Sequence, residues 1–243
     1  MDWRINSIIG LVFASLLAFF FVPAIPQPLE YHNFIDQQSW LNIPNFGDVA
    51  SNFGFLIFGV WGLLVVQKTS LENPSKLAWR IFFLGISLTA IGSGYYHWAP
   101  SNDTLLWDRL PMTISFMSLV SLVVTQVINE SFGKKLLIPL LIIGFSSVFY
   151  WHFTEQQGAG DLRPYAIVQF VPLIAIPFIL FTYPVTKTLK KGIWLLIVFY
   201  ILAKFSEALD EVIYDHFIMS GHSLKHLLAA FGIYFMLAPA KEV

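Results

Sequence analysis

The chain contains no cysteine. That absence excludes a disulfide framework, a thiol nucleophile and any cysteine-ligated zinc or iron–sulfur centre, so a metal here would need His, Asp or Glu. Charge is also scarce: Asp, Glu, Lys and Arg make up 12% of 243 residues, where a soluble domain carries about a quarter. Fourteen Lys+Arg and fifteen Asp+Glu cannot cover a globular surface of this size, and a net charge of -1 leaves no footprint for nucleic acid. There is no phosphate-cradling Gly-rich loop and no internal repeat. What is present is apolar: 56% hydrophobic residues, 17% aromatic and a mean hydropathy of +0.67. These values describe an integral membrane protein.

A helix needs roughly 20 apolar residues to cross a bilayer core. Eight stretches of about that length lie at residues 7–25, 48–66, 78–97, 108–128, 135–152, 164–183, 190–209 and 222–239. The expected fold is all-α, with eight spans joined by short connections. The first span is read as retained, because IIGLVFASLLAFFFV runs into PAIPQP without a small-x-small cleavage site. Residues 1–30 then form an N-terminal transmembrane helix and linker, and residues 31–243 a seven-helix unit.

Basic residues accumulate on the cytoplasmic side of a membrane. The two termini and the loops after spans two, four and six hold ten of the fourteen Lys and Arg, which predicts cytoplasmic termini. Sorted by side, the charges sum to +6 inside and -7 outside, so the near-neutral total is two opposite faces cancelling. All six histidines and eleven of the fifteen acids fall at the outer ends. Imidazoles and carboxylates gathered on one face are the ingredients of a metal or proton site.

Three outer segments carry candidate chemistry. GSGYYHW sets Ser93 and His97 four residues apart, on one helix face. WDRLPM places Asp108 at the membrane boundary before a helix running back inward. GHSLKHLLAAFG repeats the i, i+4 spacing with His222 and His226, which lets two imidazoles chelate one ion. By topology His97, Asp108, His222 and His226 share a depth. Three neutral imidazoles leave a fourth tetrahedral position for water, as in catalytic zinc sites, with Asp108 as base and Ser93 as a donor to a developing oxyanion. Each element also has a plainer reading: histidines facing headgroups, a packing serine, an aspartate capping a helix.

Taken in order with their spacings, these segments resemble the alkaline ceramidases and the wider membrane-hydrolase superfamily that includes the adiponectin and progestin receptors. Ser-x-x-x-His, an Asp eleven residues after that His, and His-x-x-x-His on the last span carry the resemblance, with NIPNFGDVASNFGFLIFGVWGL similar to the family's first core helix. The resemblance covers about residues 31–239 and implies a seven-helix core plus one added N-terminal span, as in bacterial members. It implies Zn2+ held by His97, His222 and His226, with Ser93 and Asp108 as catalytic partners. The implied reaction is hydrolysis of the amide bond of ceramide or a ceramide-like N-acyl lipid, at the extracytoplasmic face of a bacterial plasma membrane. The alternative from the receptor branch is a lipid-binding protein with a structural zinc. Eukaryotic ceramidases also hold Ca2+ before the first core helix; here only Asp36, Asn45 and Asp48 offer oxygen ligands, irregularly spaced.

Other polar residues invite weaker readings. Glu207, Asp210 and Glu211 would share a face of one continuous helix, as a second cation site or, more simply, a solvated helix end. His32 and His152 are alternative ligands or interfacial anchors. Ser51 and Asn52 suit a hydrogen bond to a liganding histidine or plain helix contact.

Overall fold

A computed structural model describes residues 2–70 and 73–242. In chain order the helices are α1 (Trp3–Phe21), α2 (Phe46–Gln67), α3 (Lys76–Trp98), α4 (Asn102–Ile128), α5 (Glu130–Gln156), α6 (Arg163–Thr182), α7 (Lys187–Ala208), α8 (Asp210–His216) and α9 (Gly221–Lys241). Among the described residues seven are long and apolar enough to cross a membrane, and α7 with α8, whose axes meet at 79°, would make an eighth if the bent pair is one span. The architecture is all-helical, as expected.

Polar caps start the helices that the apolar stretches continue. Ser101 and Thr104 form a reciprocal capping box before α4, with the Thr104 amide donating to Ser101 Oγ at 3.2 Å. Asn129 accepts from the Phe132 amide before α5, and Ser220 from the Ser223 amide before α9, both at 2.9 Å. Each cap satisfies an amide that the start of a helix leaves without a partner. The first helix ends four residues before the predicted span does. Pro23 follows Val22, whose backbone is extended, and a residue before proline is driven out of the helical region.

Small residues set the helix spacings, as expected where lipid supplies no hydrophobic drive between helices. A Cβ on Gly59 of α2 would lie 2.4 Å from Ser87 Oγ of α3, and one on Gly92 of α3 would lie 2.0 Å from the Trp107 carbonyl oxygen of α4. The second contact brings the residues that follow each partner, Ser93 and Asp108, to the same level. α2 and α9, from opposite ends of the core sequence, run parallel, with Ser51 beside His226 and Gly54 against Ala230.

At one end of the bundle Trp79, Phe82, Phe83, Leu122, Ile193 and Met236 are fully buried. A smaller cluster of Phe34, Tyr96, Leu105, Trp151 and Tyr165 occupies the other end. α1 lies at the periphery, touching the first cluster through Ile8, and buries none of its residues. Arg163 clips it to α6 by donating from Nη1 to the Phe19 carbonyl at 2.8 Å, while its Nε holds Asp161 at 2.7 Å. From α1 the chain crosses the end containing Tyr96, turning at Leu29–His32 before α2.

Candidate metal centre

His97 sits in the last turn of α3, and His222 and His226 in the first two turns of α9. Their candidate ligand atoms lie within 4.8 Å of one another and all three residues are buried. Ring centroids are 4.8 Å apart for each pair that includes His97 and 5.0 Å for the α9 pair. One helical turn supplies two rings and the α3 terminus the third. The Phe34 ring lies 4.6 Å from His97 and 5.1 Å from His222, placing an apolar cover from the α1–α2 linker over the group.

Hydrogen bonds orient two of the rings. Ser51 Oγ has one hydrogen, which it donates to the Asp48 carbonyl at 3.1 Å, so at 2.9 Å it accepts from His226 Nδ1–H. That tautomer leaves the Nε2 lone pair of His226 free. His222 Nε2 is 2.8 Å from Lys225 Nζ, which also donates to Glu207 Oε1 at 2.9 Å. A lone pair serves one partner, so a metal held through that nitrogen requires Lys225 to rest on Glu207 alone. His97 Nδ1 is buried with no hydrogen-bond partner, and the Asn45 side chain fixes the His97 carbonyl at 2.8 Å. Three convergent imidazoles and no thiolate form a donor set that could hold a metal ion.

Beside this group Ser93 and Asp108 lie near each other, from the last two turns of α3 and the first two of α4. They line a cavity of about 330 Å3 together with His226, Lys225 and Arg109. A second, apolar space of about 120 Å3 shares Phe55, Thr89, Met112 and Tyr200 with it and continues between Phe82, Ile86, Leu119 and Ile176. A chamber that carries the polar groups thus adjoins a space lined by hydrocarbon.

The ceramidase family model matches residues 42–241. The chain belongs to the ceramidase family. Nothing matches among curated proteins or among solved structures. The matched residues include Ser93, His97, Asp108, His222 and His226.

The other singled-out residues of this chain take separate places. His32 bonds Tyr96 Oη at 3.0 Å and Asn102 at 2.9 Å, and His152 contacts Gln156 and Asp103, so neither joins the three histidines. Among the calcium candidates, Asn45 turns to the His97 carbonyl, Asp36 caps the Gln38 amide, and Asp48 accepts from Ser220 and Ser223. The acids near residue 210 do not share one helix face, because α7 ends at Ala208 and α8 leaves at 79°. Glu207 is ion-paired to Lys225 and Lys204, Asp210 accepts from the His222 amide at 2.8 Å, and Glu211 is exposed. A Cβ on Gly221 would lie 2.2 Å from the Ser206 carbonyl oxygen, so only glycine lets α9 begin against this corner. Phe34, Lys225 and Arg109 at the site were not singled out by sequence. An apolar residue in a linker between two spans was the available signal for Phe34.

Proposed function

We propose that the chain is a zinc-dependent intramembrane amidase, cleaving ceramide or a ceramide-like N-acyl lipid to a long-chain base and a fatty acid. One observation carries this reading: three buried imidazoles stand beside Ser93 and Asp108 on a cavity that continues as an apolar slot. His97, His222 and His226 would hold the metal, and bound zinc would supply a Lewis acid and a water acidified to a pKa of about 7. Asp108 takes a proton as water attacks the amide carbon, and returns it to the nitrogen as the C–N bond breaks. Ser93 donates to the oxygen on which charge develops. The slot between Phe82, Leu119 and Ile176 receives the acyl chain, fixing the amide at the chamber that carries the polar groups. The distribution of Lys and Arg supports cytoplasmic termini, with the site at the extracytoplasmic face of a bacterial plasma membrane.

The test is metal analysis of purified protein, followed by mass spectrometry of a panel of N-acyl lipids after incubation. Stoichiometric zinc, with base and fatty acid released in equal amounts, is expected. Full activity in a metal-free His222→Ala protein would overturn the mechanism, and lipid binding without any product would assign the receptor reading instead.

A further inference from the structure

Arg109 follows Asp108 on α4, is 7% exposed and lines the same cavity. Its guanidinium lies 4.2 Å from the Trp151 ring and 5.0 Å from the Tyr165 ring, so aromatic faces fix its plane. Nη2 donates to Gln27 Oε1 at 2.6 Å. Gln27, 5% exposed, is anchored in turn by its amide on Glu155 Oε2 at 3.0 Å. Nη1 is buried with no partner, and among the described residues no carboxylate lies within ion-pair distance of Arg109. Of the two acids lining the cavity, Glu207 is already shared by Lys204 and Lys225, and Asp108 feels the charge of Arg109 without forming an ion pair with it.

A guanidinium stays charged at any physiological pH, and burying one with donors unfilled is costly unless an anion completes it. Stacking and a neutral amide orient the group without neutralising it. We infer that Arg109, held by Gln27, Trp151 and Tyr165, is a subsite for a carboxylate or phosphate. The anion is either the polar head of the N-acyl lipid or the acid that amide cleavage releases. The inference rests on the amidase reading and narrows its substrate class from neutral to anionic N-acyl lipids in the first case, and adds a product site in the second.

The experiment uses the full chain in lipid nanodiscs and two substrates with the same acyl chain, an N-acyl amino acid and a ceramide. For a head-group site, the wild type is expected to favour the anionic lipid at least tenfold in kcat/KM. Arg109→Gln collapses that ratio, and Arg109→Lys restores part of it. For a product site, the ratio is flat, and inhibition by free fatty acid weakens at least tenfold in Arg109→Gln. A flat wild-type ratio with no fatty-acid inhibition overturns the subsite without any variant being needed. Equal losses on both lipids with unchanged inhibition overturn it as well, since a merely structural arginine gives that pattern. If neither lipid is cleaved, the amidase reading fails separately. The subsite is then read from thermal stabilisation by N-acyl amino acid or fatty acid, and stabilisation that is absent, or that survives in Arg109→Gln, overturns it.

Discussion

At the end of the bundle built on Trp79, Phe82 and Phe83, buried hydroxyls bond nearby helix carbonyls, Ser118 to Ile114 and Thr125 to Ser121. At the opposite end Asp48, Ser51, His97, His222 and His226 are buried too, and Ser51 pairs with His226, and Asp48 with Ser223, between helices far apart in the chain. Ionisable side chains inside a membrane protein are expensive and need partners at hand. The first end therefore reads as packing. The second keeps groups that packing alone does not call for, and the proposed chemistry is placed there.

Substitutions should separate the two ends. The largest effect is expected from His97→Ala, which removes one of three convergent imidazoles: metal content and lipid hydrolysis should both be lost, as read by metal analysis and product formation. Asp108→Asn should keep the metal and slow turnover by about 10²–10⁴-fold. An unchanged rate would leave Asp108 a structural role. At the other end, Trp79→Ala should cost about 3–5 kcal/mol through the cavity it opens. Thermal unfolding in detergent should fall while turnover per folded, metal-loaded molecule stays the same. Ser51→Ala removes the acceptor that orients His226 and should weaken metal affinity by about 10–100-fold, measured by competition with a chelator.

The smallest effect concerns α1, which lies at the periphery of the bundle. Hydrogen bonds from the Arg163 side chain hold the Asp161 carboxyl below the usual carboxylate range. A carboxyl depressed in the folded state stabilises fully above its unfolded value, and that contribution is lost as pH falls through the folded one. Attachment of α1 should therefore be constant near neutrality and loosen only in acid. Hydrogen exchange over residues 3–21 as pH is lowered would show this, and loosening already at neutral pH would contradict it.

Much of this was legible because the membrane simplifies the code. A run of 20 apolar residues is visible without knowing its neighbours, and i, i+4 spacing alone stacks Ser93 under His97 and His222 beside His226. Expecting Ser51 and Asn52 near a histidine needed only that buried polar groups find partners, and Ser51 does meet His226. What escaped depends on contacts between elements. Arg109 reads as one more boundary charge until Trp151 and Tyr165 close over it. Glu207 looked like part of a solvated acidic end because nothing local announces the break at Leu209 or Lys225 arriving from α9. Phe34 lies in a segment with no periodicity, so no face could be assigned to it.

The parallel pairing of α2 with α9 joins residues 175 apart in sequence, Ser51 with His226 and Asp48 with Ser223. A ribosome therefore delivers the orienting serine long before the ring it orients. A partly inserted chain carries His97 alone, with no second imidazole to share an ion. Only the emergence of α9 brings His222 and His226 to His97, so the trio forms after α2 to α8 have been made.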